Sequence, residues 1–204
     1  MSDPYLSGEK YCEVYDEPRH QFHLRNEFTN IYEIELPPGN VTQYHRHSED
    51  TVYFVIADAD IEQSFLDQPT IQMVASCGGT LSREHHQEPL IHQVRNVGAG
   101  TMHMVGAEAL ARAPTSAPIS ARNHELLWES DRFRVYDVDS QIARDTCDTY
   151  GLLVSFDATT LNIAGGQNAG TATFKLSAGG FVWMEPSVTI DFGATFRGIF
   201  AQWK

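Results

Sequence analysis

The chain has 204 residues, 42% of them hydrophobic and 20% charged, which is enough apolar content for a sizeable folded core and too much for a disordered segment. Its 27 acidic and 14 basic residues give a formal net charge of −13, which opposes sequence-independent binding to nucleic-acid phosphates or to an anionic membrane surface. The 3 cysteines, Cys12, Cys77 and Cys147, lack Cys-x-x-Cys spacing and imply neither a disulfide framework nor a thiolate zinc site; with no apolar run of membrane-spanning length and no basic-then-apolar leader, a soluble cytoplasmic protein is expected.

Residues 1–19 are polar, carry Pro4, Gly8 and Pro18, and read as an N-terminal arm packing across the body or a neighbouring subunit. From His20 the pattern has period two: Tyr32, Ile34 and Leu36 alternate with Glu33 and Glu35, the mark of a half-buried strand. The turn Pro37-Pro38-Gly39 leads into the strand Tyr44-His45-Arg46-His47, and Thr51 to Ile56 is a short apolar run suited to a strand buried on both faces. Further strands are expected over Ile61–Phe65, Ile71–Ala75, Leu90–Val97 and Thr101–Gly106, with no helix of ten residues or more. This half, 20–110, therefore reads as an antiparallel sandwich or barrel.

Residues 111–122 are small and proline-bearing, the composition of a linker. Residues 123–204 repeat the pattern of 20–110: His20 aligns with His124 and Tyr32 with Tyr136 without a gap, the acidic positions stay in step, and Gly179-Gly180 takes the place of Gly78-Gly79.

In an extended strand His45 and His47 point to one face, where two imidazoles can grip one metal ion, and His92, on a later strand, supplies a third. A proline-glycine turn followed by His-x-His, and a later His92-x-x-x-Asn96, resembles the two motifs of the cupin superfamily. The usual glutamate of the first motif falls on Thr51 or Val52, so the fourth ligand is either absent or supplied off-register by Glu49 or Asp50. The resemblance implies an all-β fold of two tandem cupin-type antiparallel barrels, with one divalent metal ion in the first. Iron(II) is favoured, with zinc, nickel, manganese or copper as alternatives, bound by His45, His47 and His92.

Eight of the nine histidines lie between His20 and His103, and none follows His124. The second repeat offers Asp145 and Cys147 near the His-x-His places, with Ser187 and Thr189 where a third ligand would come, and reads as a degenerate unit without metal ligands. Tyr53 shares the parity of Thr51 and Val55 and is expected to face the cavity as a proton or hydrogen-bond donor. His103, between Met102 and Met104, is the second catalytic candidate, either lining the pocket or hydrogen-bonded in the core. His85 and His86 lie in a polar run read as a solvated loop, and Arg95 is read as facing out.

Three neutral imidazoles would leave the ion its full charge and favour a small anionic chelating substrate. The resemblance then implies a three-histidine non-haem iron dioxygenase. The alternatives are a redox-neutral lyase or isomerase using zinc, nickel or manganese, and a non-catalytic metal or small-ligand binder. A homodimer is expected, as is metal release on acidification, because a protonated imidazole cannot bind.

Overall fold

The computed structural model describes residues 10–114, 124–138, 143–166, 170–192 and 196–204. Among these, regular structure is extended throughout, except for one 3-10 turn at Val14–Asp16, and no helix is long and apolar enough to cross a membrane. The chain divides into two compact units after Leu110.

The first unit has two five-stranded sheets. One runs β1 (Cys12–Glu13), β4 (His45–His47), β9 (Leu90–Asn96), β6 (Ala59–Phe65) and β7 (Ile71–Ala75). The other runs β2 (His20–Arg25), β3 (Thr29–Leu36), β10 (Met102–Ala109), β5 (Thr51–Ala57) and β8 (Thr80–Arg83). Neighbours pair antiparallel, except that β1 runs parallel to β4 with Cys12 opposite His45. The sheets meet through their apolar faces: Tyr32, Ile34, Leu36, Val55, Met102 and Met104 from one pack with Ala59, Ile61 and Val94 from the other. These are the inward positions of a period-two pattern, and burying each large aliphatic side chain contributes about 1.5–3 kcal/mol. Gly106 faces Tyr32 across the β3–β10 pair, and a Cβ there would stand 2.5 Å from the Tyr32 ring, so only glycine lets that buried ring lie flat on the neighbouring strand.

The expected strands are present, with β10 running on to Ala109. The N-terminal arm is resolved into two parts. Residues 1–9 lie outside the described residues, whereas from Cys12 the chain is woven into the first unit: it adds a strand, buries Val14 in the core and leaves Glu17 only 1% exposed. Of the linker over 111–122, residues 115–122 lie outside the described residues, and Ala113 already belongs to the second unit, its N–H donating to the Lys204 carbonyl at 3.1 Å.

The second unit has a five-stranded sheet of β11 (His124–Glu129), β12 (Phe133–Val138), β19 (Gly198–Trp203), β14 (Gly151–Ser155) and β17 (Phe181–Met184). It also has a four-stranded one of β13 (Arg144–Cys147), β18 (Val188–Asp191), β15 (Thr159–Gly165) and β16 (Thr171–Leu176). Pairing registers equate the units residue by residue. His20 lies opposite Ile34 and Phe22 opposite Tyr32, with a bulge before Leu24; His124 lies opposite Val138 and Leu126 opposite Tyr136, with a bulge before Trp128. Gly78 and Gly179, at φ 85° and 79°, donate to equivalent strands, β5 at Val55 and β14 at Ser155. The same two-sheet unit is therefore built twice.

Candidate metal centre

The antiparallel register of β4 and β9 sets His45 opposite His92 and His47 opposite Leu90. The His-x-His alternation aims both β4 rings into the unit, where His45 and His47 are each 1% exposed and His92 8%. His92 Nε2 lies 3.1 Å from His45 Nε2 and 3.2 Å from His47 Nε2. A fourth imidazole comes from the facing sheet. His20, at the start of β2, has its ring 4.7 Å from that of His45 and 5.9 Å from that of His47, and ring nitrogens of the three lie within 4.8 Å of one another.

Hydrogen bonds fix which nitrogens face inward. The His45 Nδ1–H donates to the Gln43 carbonyl at 2.8 Å, leaving its Nε2 a bare lone pair. The His20 Nδ1–H donates to Glu17 Oε2 at 3.0 Å, a carboxylate–imidazole pair of the kind that orients metal ligands. Glu17 also accepts the backbone N–H of Arg19 at 2.6 Å and of Gln43 at 3.1 Å. Burial would raise its carboxyl, but the hydrogen bonds from His20 and from these N–H donors overcome that and hold it down at about 2.

Burial, reinforced by His20, pushes His45 down to about 3, and burial followed by the neighbouring imidazoles pushes His47 and His92 well below the ordinary range. All three rings are therefore neutral at physiological pH, the state a metal requires. With His45 Nε2 a lone pair, His92 Nε2 can make a full hydrogen bond to at most one of its two neighbours 3.1 and 3.2 Å away, protonated or not, whereas two ligands about 2.1 Å from a shared ion and roughly 95–100° apart stand at that separation. The donor set fits a divalent ion.

The other proposed site residues sort clearly. Tyr53 faces the cluster, its hydroxyl 3.2 Å from His85 Nε2 and 3.4 Å from His47 Nδ1, and burial pushes its phenol pKa up. His103 does not: Met102 and Met104 line the cavity while His103 points to the opposite face, its Nε2 2.6 Å from Glu33 Oε1. Its strand parity, opposite to that of two inward methionines, turns it away from the cavity. Neither Glu49 nor Asp50 lines the cavity, and Asp50 instead accepts the His86 N–H at 2.9 Å. Thr51 Oγ1 donates to the Glu49 carbonyl at 2.7 Å, and Asn96 clamps a turn by donating to the carbonyls of Leu36 and Gly100.

Two parts of the sequence reading are corrected. His85 is 3% exposed rather than solvated; its ring stacks on His47, and burial pushes it down to about 4. His20, which the sequence marks only as a repeat position, and Glu17, which it shows only as part of a polar arm, both belong to the site.

The cluster floors a cavity of about 210 Å³ walled by Ile34, Ile61, Leu81, Val94 and Met104. Among the described residues no aspartate or glutamate lines it, and Arg83 is its one lysine or arginine. Arg83 sits opposite Thr51 in the β5–β8 register, and its side chain has no hydrogen bond or ion pair among the described residues. The same arginine, with His85 and Leu90, also borders an adjoining open cleft of about 570 Å³.

The equivalent place in the second unit is closed. Register puts Asp145, Cys147 and Ile190 where the first unit has His45, His47 and His92, so the third counterpart is Ile190 rather than Ser187 or Thr189. His124 keeps the place of His20 and its Nε2 meets Asp145 Oδ2 at 2.5 Å, which lowers the carboxyl. Burial pushes the Cys147 thiol up to about 12, which keeps it protonated. Phe192 and Phe200 fill the space, leaving about 10 Å³.

No family description and no curated protein matches this chain. Among solved structures, protein Ylba from E. coli aligns over 97% of this chain and 88% of its own, at 11% identity and a TM-score of 0.61. AerE from Microcystis aeruginosa aligns over 92% and 98%, at 10% identity and 0.59. The oxalate decarboxylase OxdC of Bacillus subtilis aligns over 94% and 76%, at 12% identity and 0.52. At such identities the likeness is one of fold, and with the strand order it shows a cupin-type fold built as two tandem antiparallel units.

Proposed function

We propose that the first unit is a metal-dependent enzyme centre, most simply a non-haem iron dioxygenase acting on a small anionic chelating substrate. The observation that carries this reading is the convergence of His45, His47 and His92, with His92 Nε2 3.1 Å from His45 Nε2 and 3.2 Å from His47 Nε2, on the floor of a largely apolar cavity lined by no carboxylate among the described residues. His45, His47 and His92 would hold the ion, with His20 beside them on its Glu17 hydrogen bond. Bound there, iron(II) would supply a Lewis acid that keeps its double charge and can bind substrate and dioxygen together.

The chain's own residues do the rest. Gln43 and Glu17 hold the His45 and His20 rings in the tautomers that present Nε2, the apolar wall excludes water, and Arg83 offers a cation to an anionic substrate group at the cleft side. Tyr53, with its hydroxyl between His85 and His47, keeps its proton through neutral pH and serves as a hydrogen-bond or proton donor to substrate. A redox-neutral lyase is the second reading, supported by the fold likeness to oxalate decarboxylase, a protein described as having Mn(II) centres.

The test is elemental analysis of untagged protein, followed by oxygen uptake with small thiols, diketones and hydroxy acids, and by product analysis with oxalate under anaerobic conditions. Oxygen consumption dependent on iron supports the first reading, and anaerobic turnover with manganese the second. Protein that carries no divalent metal and binds none when offered would end both. With the active substrate in hand, Tyr53→Phe is expected to keep its metal and lose roughly 10²-fold or more in kcat. Arg83→Gln is expected to keep metal and kcat while raising KM roughly tenfold or more, the loss of one charge-assisted hydrogen bond.

A further inference from the structure

On the solvent side of the first unit's β2–β3–β10 sheet, four metal-ligating side chains gather that play no part in the histidine centre. Glu33 and Glu35 lie two residues apart on β3 and so share one face. His103 on β10 pairs in register with Glu35, and its Nε2 lies 2.6 Å from Glu33 Oε1. His23 sits in the bulge between Phe22 and Leu24, which turns an extra side chain to this face, and its Nε2 lies 3.1 Å from Glu33 Oε2. Ligand atoms of Glu33, Glu35 and His103 all lie within 4.8 Å of one another. Among the described residues no lysine or arginine pairs with either glutamate. Two carboxylates at that spacing, in a chain of net charge −13, repel each other.

We propose that His23, Glu33, Glu35 and His103 form a second divalent-cation site of zinc type. Glu33, Glu35 and His103 supply three converging donors, His23, at the other oxygen of Glu33, would complete four, and two carboxylates neutralise a doubly charged ion. The site would staple β2, β3 and β10 together from outside. It differs from the histidine centre in being charge-neutral when filled, filled entirely by protein donors and open to solvent, which marks it as structural rather than catalytic. It stands independently of the reading of the inner cluster.

Zinc titration of the full chain, followed by equilibrium dialysis and elemental analysis, tests it. Wild type is expected to retain two equivalents. His45→Ala/His47→Ala/His92→Ala together should retain one, as should His23→Ala/His103→Ala, whose outer affinity should fall by more than the roughly 100-fold that loss of a mere supporting partner costs. Glu33→Gln/Glu35→Gln, which preserves side-chain shape, is expected to behave like the histidine pair and stands in for it if circular dichroism shows that variant unfolded. Zinc-edge anomalous diffraction from wild-type crystals needs no variant, and density between His103 and Glu33 is the expected result. Two equivalents surviving in either outer variant, retention of no zinc by the inner triple variant, or anomalous density away from these four residues would each overturn the site.

Discussion

His92→Ala, purified without a metal-chelating tag, is expected to fold and to lose at least about 100-fold in affinity for the inner metal, more than the cost of losing a supporting hydrogen bond. The reason is geometric: His92 Nε2 is the atom that approaches both His45 and His47, so its removal leaves no point common to three donors from one sheet. The wild-type centre should also tolerate acid better than ordinary histidines would. A metal competes with protons for each nitrogen, and a ring whose pKa is pushed from 6.5 to about 3 takes up protons only at correspondingly lower pH. Occupancy measured by dialysis at fixed free metal should therefore be flat from about pH 7 to 5, rather than falling near the ordinary histidine value of about 6.5. Half-release near pH 6, or full occupancy in the His92→Ala protein, would show that other residues hold the ion.

The second large effect concerns Glu108, a fully buried carboxyl on β10 whose Oε2 accepts from Asn30 at 2.9 Å and from Tyr15 at 3.1 Å, while Oε1 has no partner. Burial raises it from 4.5 to about 7, against the pull of those two hydrogen bonds. The folded state therefore holds a proton between pH 4.5 and 7 that the unfolded chain has released, so Glu108 favours folding as pH falls through 7 and opposes it above. At pH 8 that opposition amounts to about 3 kcal/mol. Glu108→Gln can still accept from Asn30 and Tyr15 without the charge. It should raise Tm at pH 8, by roughly 2–4 °C for each kcal/mol recovered, and change it little at pH 4.5. Equal melting of the two proteins at both pH values would sink this account.

The strands and the three-histidine core of the site are legible in the sequence because both rest on local periodicity. Alternation along β3 marks its buried face, and His-x-His on β4 needs only the two-residue repeat to aim two rings together. His92 is reachable through its spacing to Asn96, even though Asn96 proves to be a turn clamp. The remainder of the site depends on contacts that no local pattern carries. His20 reaches His45 from the facing sheet, and Glu17 reaches His20 and Gln43 from a segment that reads as a polar arm. His85 is misread because it lies in a polar run; the chain there is tied down by Asp50 holding the His86 N–H, which leaves the His85 ring against His47. The placement of His103 needs no tertiary knowledge, since two inward methionines beside it already assign it the other face.

The second unit bears on what the inner cluster demands of the first. Four equivalent backbone positions carry His124, Asp145, Cys147 and Ile190 there, and without an ion they settle by joining an acid to the one histidine and leaving the other two places to a protonated thiol and an aliphatic chain. The same two-sheet scaffold is thus built once around facing imidazoles and once around other side chains. In the first unit the facing lone pairs are kept, so that four-position seat is a cost to the empty protein, and Asp145→His, Cys147→His and Ile190→His, with Phe200 trimmed to reopen the space, define the shortest route by which one chain could be made to carry the same centre twice.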